Sequence, residues 1–418
     1  MMSSKNNGER QTLLRSTAAM YLLQIAKYLF PFITLPYLAR VLGTDGFAVR
    51  SYVLSVMTFV SMVAEFGFMN YAIAQIIGGG LEKENVSKVS SGIMYARLVL
   101  FVPLLFAVAA MNATVLIMQG NQAYVWIAFV GVFFGSLLPD FVFRAYEKMG
   151  IITLRYVVSK GVSVVLTFLL IHSPEDLLLV PVLDLITSVI AFVWSWWAAV
   201  DRFEVKLVRV PWSQIWRDFS RSSVYFVSGL STIVFSSLTT FLIGVFNTSA
   251  TDIAYWGIAT IVINGLASLY SPLSQSLYPH YMKRASNGGS LSLRCLYLLC
   301  LGPLAVGMVL LAVLAEPVMW VLGGSDYVGG SYVIALLSPL VIASFYVQLS
   351  GWPSLGAVGK VNELTKTTIV SMVFHVAELA LLAAFTGYEL IYVAIARTLS
   401  EVVLAVLRVN ECRKAGVI

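Results

Sequence analysis

Charged residues and cysteines are scarce in this sequence. Only 11% of its 418 residues are charged, 59% are hydrophobic, and the mean hydropathy is +0.85. A soluble globular protein needs a larger charged surface, so this composition excludes one. We therefore expect lipid to be the main solvent of the folded chain.

Motifs of the common enzymes are also missing. The cysteines Cys295, Cys300 and Cys412 do not have the spacing of a zinc or redox site. The chain has no Walker loop, no dinucleotide-binding fingerprint, no His-Glu-x-x-His and no Gly-x-Ser-x-Gly sequence. The sequence thus predicts no metal, no cofactor and no ATP hydrolysis, and a gradient, a potential or the imbalance of a substrate would have to supply the energy for transport.

Long apolar segments dominate what is present. A membrane-spanning helix needs about 20 such residues, and we expect twelve spans, at 13–38, 47–69, 90–112, 121–145, 153–171, 177–200, 220–246, 253–278, 294–315, 331–356, 365–386 and 389–409. The sequence therefore predicts an all-α integral membrane protein.

Basic residues predict the orientation of these helices. The termini and the even-numbered loops hold 22 of the 27 Lys and Arg residues, and five of the six opposite connections hold none. Because basic residues stay on the cytosolic side, both termini are predicted to be cytosolic. The exception is the first outer connection, where Arg40 and Arg50 flank residues 43–46 and call for a functional or packing explanation. The net charge of +6 is thus explained without nucleic acid, which we do not expect as a partner.

The longest inner connection divides the chain. Residues 201–220 carry Trp212 and Trp216 four positions apart, with charges on the other side, which predicts an interfacial amphipathic helix. We therefore predict an N-terminal six-helix bundle, 1–213, that includes this linker helix, and a C-terminal six-helix bundle, 214–418.

Ionisable residues inside apolar segments are the candidate functional residues, since a charge at bilayer depth is costly unless it faces a cavity or a partner. Lys27, in the middle of the first helix, has no acidic residue within a turn. Together with Arg97 and Lys160 it would make an N-terminal cavity electropositive, which suits an anionic ligand such as a phosphate. The candidates for this cavity are Lys27, Arg40, Glu65, Arg97 and Asp184.

Other ionisable residues are spaced as pairs. Asp140 and Arg144, four apart on one helix face, are a candidate ion pair or gate. His375, Glu378, Arg397 and Glu401 are candidates for proton or cation coupling. The same spacings are also consistent with side chains that only neutralise one another, or with a structural histidine.

Four motifs resemble those of Wzx-type O-antigen flippases of the multidrug/oligosaccharidyl-lipid/polysaccharide exporter superfamily. They are Pro36–Gly43 (PYLARVLG), Glu65–Phe68 (EFGF), the stretch from Pro139 to Met149 with Phe143 and Glu147-Lys148-Met149, and the outer turn Ser173–Asp176 (SPED). The sequence departs from the family pattern at Ala74, where an arginine is expected, and at Arg144-Ala145, where the family has Gln-Gly.

This resemblance implies a MATE-like fold with two bundles around a central cavity. It implies a flippase that moves undecaprenyl-diphosphate-linked O-antigen units from the cytosolic to the periplasmic leaflet of the bacterial inner membrane. An O-antigen polymerase and a chain-length regulator would be further partners, besides membrane lipid.

Two alternatives remain open. One is a cation-coupled multidrug exporter of the same superfamily, which an electropositive cavity disfavours. The other is a membrane O-antigen polymerase or ligase, which short outer connections disfavour.

Overall fold

The computed structural model describes an all-helical chain. The description covers residues 2–247, 249–270, 273–274, 277, 281 and 293–418, and it leaves out the side chains of 2–17, 224, 227–233 and 236. No strand occurs within these ranges. This agrees with the predicted all-α class, because a bilayer admits helices whose backbone bonds are satisfied internally.

Two compact units make up the chain. Unit 1 comprises Met1–Leu42 and Val53–Leu230, and unit 2 comprises Gly43–Tyr52 and Ser231–Ile418. The predicted bundles divide at 213 and 214, whereas the compact units place residues 214–230 in unit 1 and Gly43–Tyr52 in unit 2.

The first part of the chain forms ten helices. A 3-10 turn at Pro174–Leu178 precedes α8, and a π turn at Val234–Leu238 separates α9 from α10. The helices are α1 (Met2–Glu65), α2 (Phe68–Gly78), α3 (Lys83–Thr114), α4 (Leu116–Gln119), α5 (Gln122–Ser136), α6 (Asp140–Ala145), α7 (Met149–Leu170), α8 (Leu179–Phe203), α9 (Trp212–Ile233) and α10 (Thr239–Phe246).

The second part of the described chain is also helical. A 3-10 turn at Ser325–Gly330 and a π turn at Ser350–Gly356 interrupt it. The helices are α11 (Ala250–Ser268), α12 (Arg294–Val313), α13 (Ala315–Gly323), α14 (Ser331–Leu337), α15 (Leu340–Leu349), α16 (Val361–Phe385) and α17 (Leu390–Lys414).

Among the described residues, nine helices are long and apolar enough to cross a membrane, or ten if the bent pair Ser325–Leu337 and Leu340–Gly356 is one span. The stretch Ala18–Gly78 counts once in that number, although its 61 residues contain the second predicted span and most of the first. The seventh predicted span, 220–246, is interrupted by the π turn at Val234–Leu238. A multi-pass membrane protein is therefore confirmed, and the number twelve stays a prediction.

Gly43 marks the junction of the first two predicted spans. Its φ of 66° and ψ of −174° kink α1 at a conformation that glycine adopts without strain. The hydroxyl of Tyr327 donates a hydrogen bond of 2.9 Å to the Gly43 carbonyl, and the Phe47 ring packs edge-on against Tyr327. The guanidinium of Arg50 lies 5.6 Å from the Phe47 ring centre. Packing within unit 2 therefore accounts for Arg50, one of the two exceptions to the charge rule.

The predicted interfacial helix at 201–220 is only partly helical. Residues 204–211 have no regular structure, and α9 begins at Trp212. The backbone N–H groups of Lys206 and Val208 donate to the hydroxyls of Ser87 and Ser91 on α3, at 3.0 and 2.9 Å. Three valines, Val205, Val208 and Val210, together with Pro211 favour this extended path over a helix. Trp212 and Trp216 are both exposed, as an interfacial position requires.

Candidate functional site

Lys27 lies on α1 of unit 1 and is exposed. Within the described part of the chain its ammonium forms no ion pair, although it is close enough to Asp140, Arg144 and Arg155 to feel their charges. Neither Glu65 nor Asp184, the two carboxylates among the predicted cavity residues, pairs with it. An ammonium at this depth is costly against acyl chains, so its exposure indicates a surface that meets water or a polar ligand.

Asp140, at the start of α6, binds Arg155 on α7. The two guanidinium nitrogens of Arg155 donate to the two carboxylate oxygens at 2.6 and 3.0 Å, and Nη1 also donates to the hydroxyl of Ser195 on α8. The predicted partner of Asp140, Arg144, was therefore wrong. Arg155 binds Asp140 because its planar guanidinium, which comes from another helix, meets the carboxylate with two parallel hydrogen bonds. Arg144 lies one turn after Asp140 on the same helix and does not make these two bonds.

Arg144 is half-buried at the end of α6. Its Nε is buried and makes no hydrogen bond. A buried donor without an acceptor costs free energy. Arg144 is also a second cation whose charge acts on Lys27.

Glu65 and Arg97 form a separate pair. Arg97 Nη2 donates to Glu65 Oε2 at 2.8 Å, Nη1 donates to the Leu138 carbonyl at 3.0 Å, and the arginine side chain is only 2% exposed. The other Glu65 oxygen accepts from the backbone N–H of Met69 at 3.0 Å, across the turn at Phe66 and Gly67 that separates α1 from α2. This arrangement ties α1, α2, α3 and the segment before α6 together, so both residues are occupied in holding the bundle.

Lys160 and Asp184 form a third pair, between α7 and α8. Both side chains keep partial exposure. Arg40, on α1, is exposed and lies apart from these pairs in the sequence. Of the predicted cavity residues, the structure therefore groups Lys27 with Asp140 and Arg144, and it gives Glu65, Arg97 and Asp184 partners of their own.

The charges around Lys27 do not balance. Three cations, Lys27, Arg144 and Arg155, surround the single carboxylate of Asp140, which Arg155 already binds with two bonds. We call these four residues the Lys27 cluster. An excess of positive charge attracts an anion and can hold phosphate oxygens by charge-assisted hydrogen bonds.

The remaining candidates meet in unit 2. His375 Nδ1 lies 3.7 Å from Glu378 on the same helix, α16, and Arg397 Nη1 donates to Glu401 Oε2 at 2.8 Å on α17. Thr239 and Ser400 contact the two ring nitrogens of His375. The four candidates thus lie in one region, although their spacing indicated only two separate pairs.

Sequence reasoning missed Arg155, Ser195, Thr239 and Ser400. Arg155 lies among basic residues that predict a cytosolic loop, and its partner Asp140 is 15 positions away on another helix. The hydroxyl residues carry no charge and follow no recognisable spacing. In the motif Ser173–Asp176, Asp176 accepts bonds from the backbone N–H groups of His172 and Ser173 at 2.9 and 3.0 Å and so caps the 3-10 turn.

Comparison with known proteins decides the family. The model of the family described as "Polysaccharide biosynthesis protein" matches residues 13–284, well over half of the chain. The chain belongs to this family. The resemblance predicted from the four motifs is thereby confirmed.

Two bacterial relatives carry the name "Putative O-antigen transporter". The protein of Escherichia coli (strain K12) is 24% identical over 274 residues, which are 65% of this chain and 66% of that protein, so the chain spans just under two thirds of its length. The protein of Shigella dysenteriae is 23% identical over 370 residues, 85% of this chain and 89% of that protein.

Solved structures share the fold. An inward-facing multidrug resistance MATE family transporter of the MOP superfamily has a TM-score of 0.70 at 16% identity, covering 96% of this chain and 98% of its own. The lipid II flippase MurJ in an inward closed conformation has a TM-score of 0.66 at 13% identity, covering 96% and 87%. Identities this low show the fold alone, and the predicted MATE-like fold is confirmed.

Proposed function

We propose that this protein is a flippase for lipid-linked polysaccharide precursors. In its specific form, it carries undecaprenyl-diphosphate-linked O-antigen units from the cytosolic to the periplasmic leaflet of the bacterial inner membrane by alternating access. Both termini would face the cytosol. The diphosphate and sugar would cross along the protein while the isoprenoid tail stays in the bilayer.

The observation that supports this proposal best is the unbalanced charge of the Lys27 cluster. Lys27 is exposed without an ion-paired partner among the described residues, and Arg144 has a buried Nε that lacks an acceptor. A diphosphate offers several negatively charged oxygens, which would balance the positive charges of Lys27 and Arg144. Its arrival would also offset the cost of an ammonium away from bulk water.

The rest of the chain is consistent with a carrier. α1 carries Pro31 and Pro36 inside the helix, and prolines remove backbone hydrogen bonds where a membrane helix bends. Lys27 lies one turn before Pro31, so bending there would move the ammonium. Two relatives named as O-antigen transporters support the same class of cargo.

A multidrug exporter is the competing role. The MATE neighbours share the fold, and drug exporters of that kind handle cationic compounds. The Lys27 cluster would repel a cation from the region that the flippase proposal uses. The O-antigen polymerase or ligase remains the third role, and it requires an enzyme's reactive groups on the periplasmic side.

Deletion of the gene tests the proposal. A flippase deletion leaves single lipid-linked units facing the cytosol, which added periplasmic glycosidase or periodate cannot reach in intact spheroplasts. Loss of a polymerase would leave the same single units accessible from outside. A deletion strain with normal O-antigen and raised sensitivity to cationic dyes would contradict the flippase and support the drug exporter.

A further inference from the structure

A groove of about 400 Å³ lies within unit 2, between α15 and α17. It is lined by residues of the segment Pro339–Tyr346, which begins α15, and of the stretch Val402–Arg413 on α17. The lining residues are spaced at i, i+3, i+4 and i+7 on the first segment, and at i, i+3, i+4, i+7, i+8 and i+11 on the second. Each set therefore forms one stripe along its helix. We call this feature the α15–α17 groove.

Small side chains leave this space between the two helices. Ala343 and Ala405 both line the groove and are buried, so only methyl groups project from these positions. Close to them the helices stay in contact, since the Ser344 hydroxyl donates to Glu401 Oε1 at 3.4 Å. The groove is therefore a depression above two helices that remain packed together.

The walls of the groove are apolar. Ile342, Val402 and neighbouring valines provide branched aliphatic side chains. The hydroxyl of Tyr346 already donates to the Tyr297 carbonyl on α12 at 2.6 Å. Val406, on the same stripe of α17, is 52% exposed, so the groove is open along its side. Walls of this kind accommodate an apolar chain.

Charge and amide groups occur at one end of this lining. Asn410 and Arg413 lie one turn apart near the end of α17, and both are exposed. Lys414 Nζ lies 2.7 Å from a Glu411 oxygen, so these two neighbours neutralise one another. Arg413 makes no ion pair with any residue in the described ranges. Its guanidinium therefore has five N–H donors free, in a planar geometry that matches phosphate oxygens.

The length of the groove matches one leaflet of a bilayer. Eleven residues separate Val402 from Arg413, which is about 16 Å along an α-helix. The hydrocarbon core of a bilayer is about 30 Å thick, so each leaflet contributes about 15 Å. Arg413 follows the last predicted span, 389–409, at the level where headgroups of the predicted cytosolic leaflet lie. A lipid with its phosphate at Arg413 would thus have an acyl chain along the whole groove.

The charge at the end of α17 selects among the lipids of that leaflet. Three cations, Arg408, Arg413 and Lys414, stand against the one carboxylate of Glu411 in the last turns of this helix. Arg408 donates to a backbone carbonyl and to a threonine hydroxyl, and it forms no ion pair within the described part of the chain. A zwitterionic headgroup carries an ammonium that these cations repel, whereas an anionic headgroup complements them.

We propose that the α15–α17 groove binds one anionic glycerophospholipid, with an acyl chain between the two helices and the phosphate at Arg413 and Asn410. The groove belongs to unit 2, whereas the Lys27 cluster belongs to unit 1, so this inference is independent of the flippase proposal. A bound lipid would contact α15 and α17 together, and it should therefore also stabilise the folded protein.

Native mass spectrometry of the delipidated full-length protein tests the proposal. The probes are dioleoyl phosphatidylglycerol, which is anionic, and dioleoyl phosphatidylethanolamine, which is zwitterionic and has the same acyl chains. We expect the wild type to bind the first phosphatidylglycerol at least about fivefold more tightly, and Arg413→Gln to lose this preference, because one basic side chain near a headgroup accounts for about that factor. A phosphatidylglycerol with a photoreactive acyl chain should label peptides of α15 and α17.

A second variant tests the place of the acyl chain. Val406→Trp adds bulk inside the groove at an exposed position, so it should fold and should weaken the binding of both lipids to the same extent. The control for charge is Lys366→Gln, which removes an exposed cation from α16. The control for bulk is Val373→Trp on the same helix, at a valine that is 60% exposed. Both controls should bind the two lipids as the wild type does.

Equal affinity of the wild type for the two lipids, an unchanged preference in Arg413→Gln, unchanged binding in Val406→Trp, or labelling confined to other helices would each overturn the inference. Displacement of phosphatidylglycerol by an extracted lipid-linked oligosaccharide fraction would instead assign the groove to the tail of a transported lipid. A dimer that Val406→Trp abolishes would assign it to a second copy of the chain. These measurements involve no transport, so their failure leaves the flippase proposal to its own test in the deletion strain.

Discussion

The carboxylate of Asp140 and the guanidinium of Arg155 face one another with two hydrogen bonds, of 2.6 and 3.0 Å, between α6 and α7. The side chains are 13% and 5% exposed, so the pair is shielded from water. Its bonds neutralise the only carboxylate of the Lys27 cluster. The cluster is therefore left with the charges of Lys27 and Arg144 to meet a ligand.

Exchanging the two residues tests this pairing. Removal of one partner from a buried ion pair typically costs about 3–5 kcal/mol, so Asp140→Ala and Arg155→Ala should each lower the melting temperature of the purified protein clearly. The double variant Asp140→Arg with Arg155→Asp should recover much of the loss, because both charges are again matched. Thermal unfolding in detergent measures all three.

The control is the exposed pair Lys83 and Glu204, with side chains 64% and 57% exposed. Lys83→Ala should change stability by no more than about 1 kcal/mol, since exposed pairs are screened by water. The pairing is refuted if the exchanged double variant is no more stable than the single variants, or if exchange of Asp140 with Arg144 rescues better.

Gly244 on α10 permits a close approach of Tyr52. A Cβ at this position would lie 2.0 Å from the Tyr52 ring, which also stacks with the Phe241 ring at a centre-to-centre distance of 6.3 Å. We expect Gly244→Ala to destabilise unit 2 by about 1–3 kcal/mol, the usual range for overpacking a core. Gly302→Ala on α12 is the control, because a Cβ there meets nothing within 4 Å. Equal melting temperatures for the two variants would argue against the contact.

The fold was largely predictable from sequence because apolar length and the positions of basic residues are strong signals. Segments such as 90–112 and 153–171 correspond to α3 and α7. The structure of the interfacial segment was not predictable, because the tryptophan spacing indicates a helix. Pro211 and hydrogen bonds to two serines on α3 instead hold residues 204–211 extended. The same limit applies at Gly43, whose kink depends on packing against Tyr327.

The candidate site was predictable in its residue types but not in its pairs. Lys27 stood out because a lone charge in an apolar helix is visible in any sequence. Spacing on one helix suggested Asp140 with Arg144, while the observed partner lies on another helix. Partners across helices depend on tertiary packing, and a single sequence carries no direct signal of it.

The next prediction concerns the side of the membrane that each connection between helices faces. Reporter fusions at Gln119, Ser249 and Gly387 should read periplasmic, and fusions at Gly150 and Lys414 should read cytosolic, because basic residues collect on the second set of connections. A fusion at Asn287, which lies outside the described residues, should also read cytosolic. Alkaline phosphatase and fluorescent protein activities measure the two sides. Two neighbouring sites with exchanged readings would require another number of spans.

Lys27 is the residue on which the proposed cargo depends. Its ammonium is exposed on α1, forms no ion pair with the described residues, and shares its surroundings with the unsatisfied Nε of Arg144. Lys27→Ala should therefore abolish O-unit export, measured as surface O-antigen in the complemented deletion strain, at an unchanged amount of membrane-inserted protein. Lys27→Arg should retain part of the export because the positive charge survives, although a guanidinium and an ammonium differ in shape and hydration.

Lys88→Ala, which removes an exposed lysine from α3 of the same unit, should export normally. Normal export by Lys27→Ala would remove this lysine from the mechanism, and Arg144 would then be the next cation to test, since Arg97 is already engaged with Glu65.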